Sequence, residues 1–593
     1  MIHVSLAGPM LSHFLEYGWP YRSRYAGGLL LLLATNGLSL GIPWLLRDAI
    51  AAMERGARLT TVAAIAGGMV ALAAGQSVVR TMSRITILGT SRHVVSDVRE
   101  SFFRQLCRLP ATFNDAQRTG DIMSRGINDL QLLRSFYGPG VLNLCNTVIV
   151  YVAVLTLLFT IDVRLTLLSL LVYPPLFLGV NRLSRRMYAL SRRAQEQLAV
   201  ISSRAQENFS GIQQVKTFVQ EEREIAAFSE ACAEFRRRNL SMAAVRGAML
   251  SLIGVVAGSG TLLVLFVGGR HVALGRITFP DFVAFFAYLG LLAWPTIAFG
   301  WIVNVFQRGV GAMERVQEIL LLSPGIPSPL DDAPLLAAET DAEMAGAIDI
   351  RGLTFTYPGA ASPALSDVSL SIPAGSSVGI VGAVGSGKST LLDLIARVYP
   401  APPGTIFVDG ADLTTMPTQR IRRSIGYVPQ EAFLFSRSLR ENVAFGEPDA
   451  TEADVRRAVE TARLSGDLET FPGGLDTVVG ERGFTLSGGQ RQRTTLARAL
   501  IGNPRILILD DVLSSVDADT EREILSRLAE RLRGRTCLFV SHRFSVLAGL
   551  DRIVVLDDGR LVESGSHAEL IEKEGVYARL LEQSRLERRL EAP

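Results

Sequence analysis

The residues whose types and spacing could do chemistry begin with Gly382-Ala-Val-Gly-Ser-Gly-Lys-Ser389. This stretch fits the glycine-rich loop that cradles nucleotide phosphates. An apolar strand-like run, Ser377-Val-Gly-Ile-Val381, leads into it, and a helical pattern from Thr390-Leu-Leu-Asp-Leu-Ile-Ala leads out. Gly382, Gly385 and Gly387, with Ser386 and Thr390, let backbone N–H groups close around phosphate oxygens, and the next helix aims its positive end at them. Lys388 adds a positive charge near the β- and γ-phosphates, and Ser389 a hydroxyl ligand for Mg²⁺. Two more stretches carry polar residues at fixed spacing. Leu486-Ser-Gly-Gly-Gln490 lies roughly a hundred residues on, and Ile506-Leu-Ile-Leu509 is an apolar strand pattern ending in Asp510-Asp511.

The elements that must position these residues occupy a chain of 593 residues, long enough for several domains. It is 48% hydrophobic with positive mean hydropathy, more apolar than an average soluble enzyme. A net charge of +3 gives no reason to expect nucleic acid as a partner. Only Lys216, Lys388 and Lys573 are lysines among 60 basic residues, and the phosphate loop holds one of them. Cys107, Cys145, Cys232 and Cys537 show neither a metal spacing nor a disulfide framework, so they read as reduced thiols. No short apolar segment with a cleavage pattern opens the chain.

The first half carries six apolar runs near bilayer-spanning length: Tyr25–Leu46, Leu59–Val79, Val141–Ile161, the shorter Leu165–Val180, Gly247–Gly269 and Phe282–Val305. Connections 47–58, 162–164 and 270–281 are short, whereas 80–140 and 181–246 are long, polar and helix-patterned. Two helical hairpins should therefore project far from the bilayer on one side. The long connections hold 21 basic residues and the short ones six, an excess that disappears per residue. The phosphate loop, which must meet cytosolic ATP, places the long side inside, and Arg22 and Arg24 agree. Phe113-Asn114, Gly120-Asp-Ile-Met-Ser-Arg125, Asn128-Asp129, Glu207-Asn208, Gly211-Ile212 and Val215-Lys-Thr-Phe218 stand out in the hairpins. Composition alone leaves them either solvated amphipathic helices or contact surfaces. Asn36, Gln76, Asn143 and Asn146 supply polar atoms in the spans; Phe285, Phe286, Trp294, Phe299 and Trp301 supply aromatic surface or simple packing. Intramembrane carboxylates, expected of a proton-coupled pump, are missing, which favours an apolar or amphipathic passenger.

From Leu322 the pattern breaks. Ser323-Pro-Gly-Ile-Pro-Ser-Pro329 and an acidic, alanine-rich stretch read as a linker over 322–345, after a membrane domain at 1–321. An α/β domain over 346–593 follows, opening with the alternating strand Ala347-Ile-Asp-Ile-Arg-Gly-Leu-Thr-Phe-Thr-Tyr357. The phosphate loop, Leu486-Ser-Gly-Gly-Gln490 and the strand ending in Asp510-Asp511 together resemble the ATP-binding cassette (ABC) family. The whole chain resembles a half-size exporter of multidrug or lipid type: a six-span helical domain fused to an α/β phosphate-loop domain.

That resemblance implies roles. Tyr357 is similar to the aromatic that stacks on adenine, and Asp510 to the acid that holds Mg²⁺ through water. Gln430, in Tyr427-Val-Pro-Gln430, resembles the glutamine that senses Mg²⁺ and the γ-phosphate, and His542, in Ser541-His-Arg, the histidine contacting that phosphate. Ser514-Ser-Val-Asp517 resembles the loop crossing to a partner cassette, and Val479-Gly-Glu-Arg482 the segment beside the membrane-domain helices. The polar hairpin segments resemble coupling helices. In this family Ser487, Gly488, Gly489 and Gln490 complete the nucleotide site of the opposite subunit, so the working unit is a dimer holding two ATPs.

One departure bears on mechanism. Family members that hydrolyse efficiently carry a glutamate after the Mg²⁺ aspartate; this chain has Asp511. The shorter carboxylate sits back by about 1.5 Å, one C–C bond. A general base must lie within roughly 2.6–3.2 Å of its water, and misplacement on this scale costs on the order of a hundredfold in rate. Val512-Leu-Ser-Ser-Val516 also departs from the family's Ala-Thr-Ser-Ala-Leu pattern. The resemblance thus implies the degenerate-site half of a heterodimeric ATPase in the inner or plasma membrane, exporting a hydrophobic or amphipathic compound. A homodimer of the same build, including a lipid flippase, is the alternative.

Overall fold

The computed structural model describes residues 7–171, 173–323, 326, 344–480, 486–512, 518–531 and 533–591. The chain divides into two compact units, one of Met1–Glu100 with Arg125–Val316, the other of Ser101–Ser124 with Gln317–Pro593. The expected linker lies largely outside the described residues.

The first unit is helical. Five helical stretches among the described residues are long and apolar enough to cross a membrane: His13–Glu54, Leu59–Arg108, Thr119–Ile161, Glu221–Ala273 and Phe279–Leu320. Each exceeds the ~20 residues that a bilayer core requires; in Leu59–Arg108 and Glu221–Ala273 the polar hairpin arm continues the apolar span as one helix. The fourth expected span, Leu165–Val180, is not one of the five. It is shared between helices Val163–Leu170 and Tyr173–Ser210, with Val172 outside the described residues. A proline removes a backbone donor and clashes with the preceding turn, so Pro174-Pro175 fits the first turn of the second helix, where those donors are unused anyway.

The helices Tyr173–Ser210 and Glu221–Ala273 run side by side as the second hairpin. Polar side chains of each reach the other's backbone: Gln197 Nε2 to Ala231 O at 3.1 Å, Arg204 Nη1 to Ala227 O at 2.7 Å, and Arg238 Nη1 to Arg193 O at 2.8 Å. A short helix, Ile212–Thr217, forms the tip. The first hairpin turns through Ala111–Ala116 and Thr119–Ser124, both in the second unit. Beyond them Asp129 is buried and held by Arg315 Nε at 2.9 Å.

The second unit carries two sheets. Strands β1 (Ile348–Phe355), β2 (Leu365–Ile372), β4 (Ile406–Val408) and β5 (Ala411–Asp412) form an antiparallel sheet ordered β2-β1-β4-β5. A six-stranded sheet, ordered β10-β9-β3-β8-β7-β6, uses β3 (Ser377–Val381), β6 (Ile425–Val428), β7 (Ile506–Asp510), β8 (Thr536–Val540), β9 (Arg552–Asp557) and β10 (Arg560–Gly565). From β9 through β6 every pairing is parallel. Strands buried on both faces read as continuous apolar runs, and β7 and β8 are buried at every residue. Parallel register brings the C-terminal ends of β3, β6, β7 and β8 to one edge of the sheet, where ligands of α/β folds bind.

Candidate nucleotide site

That edge collects the motifs. The phosphate loop leaves β3, Gln430 follows β6, Asp510-Asp511 ends β7, and Ser541-His542 follows β8. One cavity of about 320 Å³ is lined by Tyr357, Gly385, Gly387, Lys388, Ser389, Thr390, Gln430, Asp510, Asp511 and His542, with Ala364, Val384 and Val540. Residues far apart in sequence therefore meet in one space.

The loop's glycines are demanded by its path. Gly387, which caps the helix Lys388–Ile395, has φ +94°, and a Cβ there would lie 2.7 Å from Ala364 O. A Cβ on Gly382 would lie 2.2 Å from Leu556 O. Ser386 is buried, and among the described residues its Oγ has no hydrogen-bond partner. Lys388 Nζ donates to the carbonyls of Gly382 at 3.0 Å and Ala383 at 2.7 Å, inside the loop. A buried orphan hydroxyl, a glycine cradle without room for side chains and an enclosed ammonium suit an oxyanion of high charge. ATP with Mg²⁺ fits this donor set: Ser389 and Asp510 would hold the metal, with Gln430 lining the same space.

Charges are poised accordingly. Burial pushes the Lys388 ammonium below its usual range, opposed by the nearby Asp510 and Asp511. Burial lifts the Asp510 carboxyl, opposed by a hydrogen bond from Ser389. Asp511 adopts φ +47°, a left-handed conformation that Asp tolerates better than most residues. Tyr357 shares a 3.0 Å hydrogen bond with Thr390, and its ring meets Tyr399 edge-on at 5.2 Å.

The signature stretch is absent from this cavity's lining. Ser487 is exposed and caps the helix Gly488–Ile501 in a reciprocal arrangement with Gln490. Gln490 Nε2 also donates to Asp467 Oδ1 at 3.0 Å, and Arg493 pairs with the same carboxylate at 2.8 Å. Gly488 and Gly489 open the helix, so their N–H groups lie at its part-buried, positive end. Ser514-Ser-Val-Asp517 and the Glu481-Arg482 half of Val479-Gly-Glu-Arg482 fall outside the described residues.

Sequence reasoning missed Asp115 and Tyr399. Tyr399 Oη donates to Asp115 Oδ2 at 2.5 Å, linking the helix Ala111–Ala116 to the residues beside Tyr357 within the second unit. Only the neighbouring Phe113-Asn114 hinted at such a contact.

A phosphate loop at the edge of a parallel sheet, attached in sequence to membrane-length helices, defines an ATP-binding domain serving a membrane protein. Residues 26–296 match the ABC transporter transmembrane region, and residues 365–514 match the family model described as ABC transporter. The chain is 33% identical to the "Probable multidrug resistance ABC transporter ATP-binding/permease protein YheI" of Bacillus subtilis (strain 168), over 97% of this chain and 98% of that protein. It is also 33% identical to the multidrug resistance-like ATP-binding protein MdlA of Escherichia coli (strain K12), over 98% of both chains. A bacterial Atm1-family ABC exporter solved with ATP bound superposes with a TM-score of 0.75 at 26% identity, covering 95% of this chain and 98% of that one. This chain belongs to the ABC transporter family. It is a multi-pass membrane protein with the exporter fold, its transmembrane region fused to its own cassette.

Proposed function

We propose that the chain is one half of a dimeric, ATP-driven exporter of hydrophobic or amphipathic compounds, and that its own site grips ATP but hydrolyses it slowly. The observation that carries the dimer is the separation of Ser487–Gln490 from the cavity holding the phosphate loop. The part-buried helix end at Gly488 presents the N–H groups of an anion site, away from the cavity that holds this chain's own phosphate loop. Two chains facing each other give each phosphate loop the other's signature. The multidrug names of the B. subtilis and E. coli relatives support the class of passenger.

Within the site, Tyr357 would stack on adenine, and the loop from Gly382 to Thr390 would bind the phosphates. Lys388 would trade its two carbonyl partners for phosphate oxygens. Mg²⁺, held by Ser389, Asp510 and Gln430, would neutralise phosphate charge. His542 would contact the γ-phosphate from the end of β8, and Asp511 would orient water, but from one methylene too far back. The proposed domain limits are 1–321 for the membrane domain, 322–345 for the linker and 346–593 for the cassette.

The shortened carboxylate beside an intact signature supports a heterodimer in which the partner supplies a glutamate and borrows Ser487–Gln490 from this chain. A homodimeric lipid flippase is the second reading, favoured by the charge that Asp511 retains. Purifying the chain alone and with the product of a neighbouring exporter gene, then comparing ATP turnover, tests the assignment. Slow turnover alone and fast turnover together are expected. Brisk hydrolysis by the chain alone would sink the heterodimer.

A further inference from the structure

We infer that the cavity among the membrane helices lined by Asn36, Arg80, Arg84 and Asn146 takes an anionic amphipath, with its acidic group at Arg80 and Arg84 and its apolar body against Leu142, Leu291 and Trp294. This deepens the exporter reading, on which it rests, by naming the charge of the passenger. The cavity measures about 590 Å³ and draws its lining from four of the five membrane-length helices. That volume lies within the range of about 300–1,000 Å³ for small-molecule sites.

Thr35 Oγ1 and Asn143 Nδ2 in its lining are taken up by Leu31 O and Pro139 O, each at 2.8 Å, and its guanidinium groups are the donors awaiting acceptors. Arg80 and Arg84 stand one turn apart on the helix Leu59–Arg108, so both guanidinium groups reach the same space. Among the described residues neither has a hydrogen bond or ion pair, and the lining contains no carboxylate. Asn36 Nδ2 is engaged by Leu32 O at 2.9 Å and Asn146 Oδ1 at 3.1 Å, which turns the remaining Asn146 amide donor to no other described group. Two cations and a spare amide beside Leu and Trp surface select a ligand with one acidic end and one apolar end.

Depth agrees with that orientation. Twenty-one residues of helix separate Leu59 from Arg80, about 32 Å at the α-helical rise, against roughly 30 Å of hydrocarbon. The cations therefore sit at the edge of the apolar layer, where the acidic group of a membrane-dissolved amphipath resides. A charged side chain at this depth is costly unless it faces a cavity or a partner.

The test uses the full-length chain in phosphatidylcholine nanodiscs, with radiolabelled taurocholate as the anionic probe and tetraphenylphosphonium as an apolar cation. Taurocholate should bind about tenfold more tightly, equivalent to about 1.4 kcal/mol. The double variant Arg80→Gln/Arg84→Gln should erase that preference, and Arg80→Lys/Arg84→Lys should restore most of it, with ATP binding unchanged in both as the check on folding. Replacing half the lipid with phosphatidylglycerol distinguishes the sources: weakened taurocholate binding assigns the acidic group to a lipid headgroup, and unchanged binding assigns it to a soluble amphipath. Equal affinity for both probes, no binding of either, or a preference that survives in the glutamine variant would overturn the inference. Uptake into inverted vesicles then separates it from the parent reading. ATP-driven movement of the cation alone refutes the anionic passenger and leaves the exporter standing; movement of neither ion counts against the exporter itself.

Discussion

Tyr399 donates a 2.5 Å hydrogen bond to Asp115 while its ring stands edge-on, 5.2 Å away, against Tyr357. Tyr357 in turn is bonded to Thr390 at the end of the phosphate loop. A continuous chain of contacts thus runs from the nucleotide cavity to the short helix at the tip of the first membrane hairpin, inside one compact unit. Burial, together with the Asp115 carboxylate, pushes the Tyr399 hydroxyl above its usual range, so it stays protonated and donates throughout the physiological window.

Tyr399→Phe should therefore separate binding from transport. The ring contact with Tyr357 survives, so ATP affinity should change by less than about twofold; the lost bond is worth about 1.5–3 kcal/mol, as its acceptor is charged. Transport per ATP hydrolysed should fall, measured as vesicle uptake divided by phosphate release. An unaltered ratio would show that this contact carries no coupling.

Legibility in the sequence varied with how local each signal is. The phosphate loop, the signature and the acidic strand end each sit on a few consecutive residues, with flanking strand or helix patterns that confirm them. Gln430 came into view through the family resemblance, and His542 through that resemblance together with the apolar strand run Cys537-Leu-Phe-Val540 just before it; parallel register then places both at the cavity. Phe285, weighed as passenger-facing or packing, is fully buried, whereas Trp294 is exposed at the membrane cavity. Asp115 and Tyr399 are 284 positions apart, and each alone looks like ordinary surface. Arg80 and Arg84 read as the start of a polar connection, because apolar patterning marks where a span ends but not which way its last turns face. The fourth apolar run, shorter than the others and carrying Pro174-Pro175, crosses Val172, which lies outside the described residues.

Asp511 gives a pair of opposing expectations. Asp511→Ala should barely alter ATP turnover of the complete assembly, because the partner's site does most of the hydrolysis; a collapse would end the degenerate-site proposal. Asp511→Glu should lengthen the reach by about 1.5 Å and raise turnover by this chain's own site, with up to about a hundredfold available from correct placement. The left-handed backbone at this position opposes a longer side chain modestly, so the gain should stop short of that ceiling. Single-turnover phosphate release with the partner's base removed measures it.

Ser487 separates helix capping from catalysis. Its Oγ accepts from the Gln490 N–H at 3.2 Å, so Ser487→Ala removes a cap worth about 1 kcal/mol and should leave partial turnover. Ser487→Arg places a bulky cation where a phosphate is expected and should abolish most turnover of the assembly. ATP binding at this chain's own phosphate loop should persist in both variants, because the signature does not line that cavity. Normal hydrolysis by the arginine variant would refute the shared site.

Asp510 makes the last prediction, and it concerns pH. Burial raises its carboxyl above the unfolded value, with Asp511 adding to the rise and Ser389, Lys388 and His542 opposing it. A folded-state value that is raised favours the protonated form in the native protein. Its contribution to stability is therefore fully present below the unfolded value and is lost as pH rises through the folded one. At neutral pH the nucleotide-free protein holds a buried carboxylate whose ionisation opposes folding. Asp510→Asn removes that charge and should raise the nucleotide-free unfolding midpoint near pH 7.5 by on the order of a degree or two. The advantage should shrink as pH falls through the raised folded-state value and the wild-type carboxyl takes up its proton. With ATP and Mg²⁺ present the order should reverse, because the variant lacks the acid that would hold the metal and gains less from ligand binding. A midpoint lowered by the same amount at both pH values, with or without nucleotide, would instead mark Asp510 as a packing residue.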